Sequence, residues 1–465
     1  MNNFADIIAA VSTPPGKGGV AIIRISGEGS LALAERFFYP ASKKTLGSHP
    51  PRMQVYGYVT GTDGERIDDG MATYFERGRS YTGEETVEIS SHGGTLVTSM
   101  MLECALRAGA RLAEPGEFTR RAFISGRITL SDAEAIGTLL DAESREQVAL
   151  FSETSRKKLN DSFSDICSAL TEILSSAYAR IDYPDEDLGD FSDQEMKMRL
   201  LAIKESITAL LATYKTGRAI KDGVKTVIAG KPNAGKSSLY NAILGEDAAI
   251  VTDIKGTTTD VLERAAVMDR VTLRLFDTAG LRDEGSAGAI EKIGIERTRV
   301  SLGKAELVLA VFDTSEALDT DDLDLIDTLS EKKCEVIAIL GKADARCAAF
   351  DEAKIRGKFD TVLYFSSKSP EEYLSLLSKE INRLFTDERI RCGETAIIST
   401  ARQNAILTSA LELVSSAIAG LSAGATADMV SSDVERALRA VLEADGREVS
   451  EAVTNDIFSK FCVGK

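Results

Sequence analysis

The octapeptide Gly230-Lys-Pro-Asn-Ala-Gly-Lys-Ser237 constrains the fold of this chain more than any other segment. It fits the pattern GxxxxGK[ST]. The apolar run before it (224 to 229) reads as a short strand, and residues 236 to 244 read as a helix. Strand, glycine loop and helix in that order build a phosphate cradle. The glycines permit a tight turn, and backbone N–H groups at the helix start face a polyphosphate. In such a loop Lys236 reaches the β and γ oxygens and Ser237 holds Mg²⁺. The 229 residues ahead of the loop predict that a nucleotide switch acts on the rest of the chain.

The downstream sequence supplies the other parts of a guanine-nucleotide domain. Asp277-Thr-Ala-Gly280 ends a strand predicted over 271 to 276, where a Walker-B aspartate and a γ-phosphate-sensing glycine belong. The polar loop Gly256-Thr-Thr-Thr259 can offer a hydroxyl to Mg²⁺. Gly341-Lys-Ala-Asp344 follows an apolar strand over 335 to 340, and Ser366-Ser-Lys368 follows another over 361 to 365. Asp344 is expected to accept two hydrogen bonds from the guanine edge, with the Lys342 stem over the purine plane. Many GTPases carry a glutamine after DxxG to orient the attacking water. Here that position is Leu281, so another group must do so. Glu291, on the segment after DTAG, is the nearest candidate, and a solvated helix-start glutamate is the competing reading of it.

With 465 residues, two to four domains are expected. No charged-then-apolar leader and no long uncharged apolar run is evident, which predicts a soluble, cytoplasmic protein. The six cysteines, at 104, 167, 334, 347, 392 and 462, form no CxxC or CxxH. That argues against a disulfide framework and a zinc site. A net charge of −17 makes non-specific nucleic-acid binding poor, so any RNA contact must be local or assisted.

Three regions are expected. Residues 1 to 118 mix strands (19 to 25, 54 to 60, 70 to 74, 86 to 90) with one helix over 96 to 108, an α+β pattern. Residues 119 to 217 carry helical spacing in Leu159, Phe163, Ile166, Leu170 and Ile173, and again in Ile203, Ile207, Leu210 and Tyr214, with an acidic break over 182 to 189. The nucleotide domain spans 218 to 385. Helical spacing then returns over 386 to 465 (Leu407, Leu411, Val414, Ile418, Leu421). The predicted fold class is therefore multidomain: an α+β N-terminal domain, a discontinuous all-α domain, and an α/β P-loop domain inserted into it, with the ends of the insert close together. His49 reads as a surface-loop residue, His92 as a turn residue, and 319 to 324 as a solvated helix start.

The chain resembles the bacterial tRNA modification GTPases of the MnmE (TrmE) family over nearly its whole length. The resemblance rests on Thr13-Pro-Pro-Gly-Lys-Gly-Gly19, Ile22-Ile-Arg-Ile-Ser-Gly27, Ser80-Tyr-Thr-Gly-Glu84, Ser91-His-Gly-Gly94 and Glu114-Pro-Gly-Glu-Phe-Thr-Arg-Arg-Ala-Phe123. Asp132-Ala-Glu-Ala-Ile136, the nucleotide motifs and Phe461-Cys-Val-Gly-Lys465 add to it. It implies a TrmE-Era-type, Ras-like GTPase domain and a homodimer whose N-terminal domains bind 5-formyl- or methylene-tetrahydrofolate. With a flavoprotein of the MnmG/GidA family, such a protein adds a (carboxymethyl)aminomethyl-type group at C5 of the wobble uridine of certain tRNAs. GTP contacts are then expected from Asn233, Ala234, Gly235, Lys236, Ser237 and Ser238, and from Thr252, Asp253, Ile254, Lys255, Gly256, Thr257 and Thr258. Asp277, Thr278, Ala279, Gly280, Lys342, Asp344, Ser366, Ser367 and Lys368 complete them. The resemblance places K⁺ on Asn233, Thr252, Ile254 and Thr257, and Mg²⁺ on Ser237 and Thr258. It makes Glu291 the water-orienting acid and Lys236 and Cys462 catalytic. It assigns folate to Arg24, Glu88, Arg127 and Lys465.

The departures are specific. The family's NKxD motif has Gly341 in place of its asparagine, whose side chain normally braces the base loop against the P-loop; weaker nucleotide binding is expected. TTRD becomes Thr257-Thr-Thr-Asp260, and the folate-site lysine becomes Arg127. Two competitors stand beside this reading. One is a regulatory or ribosome-assembly GTPase whose N-terminal domain only binds partners, which failure to bind a reduced folate would favour. The other is an ATP-using P-loop enzyme, which Lys342 and Asp344 argue against.

Overall fold

A computed structural model of the chain describes residues 6–61, 64–182, 192–245, 264–276, 303, 305–448, 454, 457–459, 461 and 464. It divides into two compact units, Met1–Leu140 with Leu442–Lys465, and Asp141–Val441.

In the first unit the described residues form a seven-stranded sheet of β1 (Ile8–Val11), β2 (Gly18–Ser26), β3 (Phe38–Pro40), β4 (Gln54–Thr60), β5 (Arg66–Phe75), β6 (Thr86–Gly93) and β7 (Arg111–Leu112), ordered 3-4-5-6-2-1-7. All neighbours are antiparallel except β1 and β7. The alternation seen in β2 buries Ala21, Ile23 and Ile25 on one face. Ile23 and Ile25 share a core with Val55, Val59, Ala72, Val87 and Ile89, and with Met101, Cys104 and Ala105 from the helix Thr95–Arg107 that covers the sheet.

The helix Glu117–Ile124 places Glu117 and Arg121 one turn apart on its buried side. The Arg121 side chain has no solvent exposure. It donates to Asp6 Oδ1 (2.8 Å), the Asp6 carbonyl (3.0 Å), Glu117 Oε1 (3.0 Å) and Glu84 Oε2 (3.3 Å). Arg111 adds a second guanidinium on Glu117, at 2.6 Å. Burial alone would raise the Glu117 pKa, but the hydrogen bonds from Arg111 and Arg121 hold it below its ordinary 4.5. The C-terminal motif belongs to this unit. Phe458 is buried with Leu130 and Ala133, and the Phe461 ring lies over Gly137 and beside Phe458.

In the second unit, the helical spacing in the sequence appears as helices Glu153–Asp182, Asp193–Ala212 and Ala401–Ser422. Ala401–Ser422 packs along Asp193–Ala212, so segments some 200 positions apart form one helical layer. Leu407, Ala410, Val414 and Ala417 form its buried stripe. By length and composition this helix could cross a membrane; among the described residues it is alone in that. Arg402 and Glu412 interrupt it, so it is not a long uncharged apolar run.

The α/β sheet of this unit contains β8 (Val224–Ala229), β9 (Arg264–Met268), β10 (Val271–Phe276), β11 (Leu307–Asp313), β12 (Glu335–Gly341) and β13 (Thr361–Tyr364). Its order is 13-12-11-8-10-9, parallel except for β9 against β10. β11 is buried at all seven positions, as a strand covered on both faces must be. The two ends of the α/β insert lie together. Thr213 Oγ1 accepts from the Ile398 N–H (3.1 Å), and Thr216 Oγ1 accepts from the Asp387 N–H (3.0 Å). A side chain at Gly217 would collide with the Ile398 carbonyl. The inserted arrangement expected from sequence is therefore present.

Candidate guanine-nucleotide site

Parallel α/β sheets bind ligands at the carboxyl ends of their strands, where strand order reverses. Here β8 is that reversal, with β11 on one side and β10 on the other. The P-loop leaves β8 at this edge. Asn233 has φ 61° and Gly235 φ 104°, both in the left-handed region, so the chain turns sharply before the helix Lys236–Leu244 begins. Gly235 serves as its N-cap; a side chain there would be strained. Asn233 and Ser238 are exposed, Ser237 and Lys236 half-buried, and Ala234 buried beneath them. The first turn of that helix presents N–H groups and a positive dipole end to an anion.

The two lysines of the loop are placed differently. Lys236 donates to the Lys231 carbonyl at 2.7 Å, within the loop itself. Lys231 is held away by carboxylates, its ammonium 3.0 Å from both Asp319 Oδ2 and Asp322 Oδ2 and 3.8 Å from Glu316. Burial would lower its pKa, but the bonds to Asp319 and Asp322 outweigh that and keep it charged. This corrects the reading of 319 to 324 as merely solvated. The segment does start a helix, Thr320–Ser330, with Asp319 and Asp322 in a reciprocal capping box. Asp322, however, is buried and anchors the P-loop.

The residues expected to recognise the base converge at the next strand ends. Ser366 Oγ donates to Asp344 Oδ1 at 2.8 Å, and Lys368 Nζ lies 2.6 Å from Oδ2. These contacts, led by the Lys368 bond, hold the Asp344 pKa down at about 2. Asp344 is thus an acceptor at any physiological pH, and a carboxylate has lone-pair positions left for two N–H donors of guanine. Ser367 is exposed beside them. Lys342 sits at φ 53° with its ammonium 2.6 Å from Asp313 Oδ2. Sequence reasoning missed Asp313. Its signal is a lone acid ending a wholly apolar strand.

Glu291, Thr252, Asp253, Ile254, Lys255, Gly256, Thr257, Thr258, Asp277, Thr278, Ala279, Gly280, Cys462 and Lys465 lie outside the described residues. The N-terminal candidates are within them. Arg24 and Glu88 are cross-strand partners on β2 and β6, joined at 2.8 Å. The Arg24 guanidinium lies 4.8 Å from the Tyr81 ring centroid and 5.5 Å from that of Phe118, two aromatic neighbours the sequence did not single out. Arg127 is exposed and follows a turn pinned by Ser125 Oγ donating to the Thr82 carbonyl at 2.7 Å, which brings it beside the 80 to 84 loop. His92 is not a turn residue. It lies on β6, exposed, with Nδ1 2.9 Å from Asp68. His49 is a surface residue, bonded to Ser42 at 3.1 Å.

Residues 7–127 match the family described as GTP-binding protein TrmE N-terminus, and residues 130–462 match the MnmE helical domain. A protein of Thermotoga maritima named tRNA modification GTPase MnmE is 37% identical over 99% of this chain and 100% of its own length. A Bacillus subtilis protein of the same name is 36% identical over 99% and 100%. Among solved structures, the G domain of the T. maritima FeoB iron transporter is 30% identical, covering 34% of this chain and 97% of that one at a TM-score of 0.26. Agreement at that TM-score is too limited to carry a functional argument.

Proposed function

We propose, since this chain belongs to the MnmE family of tRNA modification GTPases, that it couples GTP hydrolysis to modification at C5 of the wobble uridine of certain tRNAs. The added group is of the (carboxymethyl)aminomethyl type. Its carbon comes from a reduced folate, and a flavoprotein of the MnmG/GidA family is the partner in the reaction. The chain acts in the cytoplasm as a homodimer. Its functional divisions are an N-terminal folate and dimerisation domain over 1 to 118, a helical domain over 119 to 217 and 386 to 465, and the GTPase domain over 218 to 385.

The observation that supports this reading most is the extent of the likeness, 99% of the chain with the N-terminal and helical segments included. A GTPase domain grafted onto another protein would match over the nucleotide domain alone. The donor chemistry fits as well. Arg127 is suited to the carboxylates of a folate tail, and Glu88, with Arg24 2.8 Å from it, to the N–H edge of its pterin. The Ser237 hydroxyl and Asn233 carboxamide are oxygen donors, the kind Mg²⁺ and K⁺ accept. Lys236 would then neutralise charge on the β and γ phosphates while Glu291 orients the attacking water. A potassium ion supplies positive charge near the β–γ bridge, where an arginine finger acts in other GTPases.

GTP turnover by the purified protein is expected to rise several-fold when K⁺ replaces Na⁺ at constant ionic strength. Equal rates in the two salts would remove the potassium assignment of Asn233, and with it the case for Glu291.

A further inference from the structure

The absence of the motif asparagine at Gly341 leaves the base loop needing another brace, and one is present on the neighbouring strand. β11 and β12 run parallel with Asp313 opposite Gly341. The next residue, Thr314, has no solvent exposure. Its Oγ1 lies 2.8 Å from the Gly341 carbonyl and 3.1 Å from the Lys342 carbonyl, so one hydroxyl proton serves two successive acceptors of the loop. The Thr314 N–H donates to the Gly341 carbonyl at 3.1 Å, and its own carbonyl accepts from the Cys347 N–H at 2.7 Å. The loop from 341 to 347 is therefore held at both ends by one residue. Asp313, beside it, holds the Lys342 ammonium. Glycine at 341 is part of the same arrangement. A Cβ there would stand 2.9 Å from the Ala234 carbonyl of the P-loop, so this loop lies closer to the P-loop than a side chain permits.

We propose that Thr314 is the positioning residue of guanine recognition in this chain, its buried hydroxyl holding the 341 to 344 loop where NKxD sequences use their asparagine. The inference rests on the reading of Asp344 as the guanine acceptor. Thr314 touches no nucleotide. It acts by fixing the backbone that carries Asp344 and Lys342, so its loss should hurt a ligand that needs two aligned bonds to Asp344 more than one that needs a single bond.

The test is competition by GDP, IDP and XDP against a fluorescent GDP analogue on the full chain. Inosine lacks the 2-amino group and makes one of the two bonds. Thr314→Val keeps the shape and removes the hydroxyl, leaving the Gly341 carbonyl with the Thr314 N–H and the Lys342 carbonyl with the Ala345 N–H. It is expected to weaken GDP binding about tenfold, to weaken IDP binding less, and so to lower the GDP-to-IDP preference. Thr314→Ser keeps the donor and should restore both. Thr314→Ala gives the same comparison if the valine variant does not fold. An unchanged GDP-to-IDP preference in the valine or alanine variant overturns the proposal, as does a serine variant equally impaired. Asp344→Asn separates the underlying reading: it should turn preference from guanine toward xanthine, and if it does not, the assignment of Asp344 fails independently of Thr314.

Discussion

Lys236→Ala is expected to lower GTP turnover on the order of a hundredfold to a thousandfold, the usual cost of removing one preorganised donor at developing charge. The loop offers two lysines, and their surroundings separate them. Lys231 is committed to Asp319 and Asp322, one of them buried. The Lys236 ammonium instead rests on a carbonyl of its own loop, 2.7 Å away, at the start of a helix whose N-terminal dipole attracts phosphate. A phosphate oxygen is the stronger partner, because the hydrogen bond is then charged on both sides. Alanine is the best helix former and suits the first helical position, so the fold should survive the change. Steady-state turnover, with circular dichroism on the same samples, makes the check. Near-normal turnover in Lys236→Ala would mean that this loop is not the phosphate site.

Arg121→Met is expected to destabilise the N-terminal unit by about 3–5 kcal/mol, the cost of leaving buried charges without their partner. Arg121 is the largest fully buried side chain among the described residues. It faces Asp6, Glu84 and Glu117 together. Methionine fills much of the volume but leaves Glu117, whose side chain is only 4% exposed, with Arg111 as its remaining guanidinium. The pH dependence has a definite sign. The folded-state pKa of Glu117 lies below 4.5, so its stabilisation is fully present above that pH and is lost as pH falls through the folded value. Asp6 is also depressed, but it is 44% exposed, and screening reduces its share. Urea unfolding followed by circular dichroism should show a lower midpoint in Arg121→Met and a weaker loss of stability below about pH 4.5. An unchanged midpoint would show that the network is not a structural anchor.

What could be read from the sequence follows the range of the interactions involved. The P-loop is contiguous, so Asn233 to Ser238 were identifiable at once, and the Ser366-Ser-Lys368 and Lys342/Asp344 motifs each follow a visible apolar strand. Their convergence on Asp344 depends on β12 and β13 being adjacent. The brace at Thr314 was not legible, because it depends on the register that sets Asp313 opposite Gly341 across 28 positions. The same holds for Arg24 and Glu88, where only a family resemblance suggested a shared site; the pairing of β2 with β6 makes it physical. Long helices announced themselves through repeated apolar spacing over several turns. β1, β3 and β7, with two to four residues each, are too short for alternation to stand out. The buried side of Asp322 was hidden for a related reason: a capping acid in a run of acids looks solvated until its partner, Lys231, arrives from another strand end.

The proposal that a GTP-driven switch serves tRNA wobble modification has one most direct test. Total tRNA from cells lacking this protein is digested and its wobble nucleosides are compared by mass spectrometry with those of the parent. Loss of a C5-substituted wobble uridine, restored by the intact chain and not by Lys236→Ala, is the predicted result. An unchanged set of C5-substituted uridines would contradict the account and favour a GTPase whose N-terminal unit serves only to bind partners.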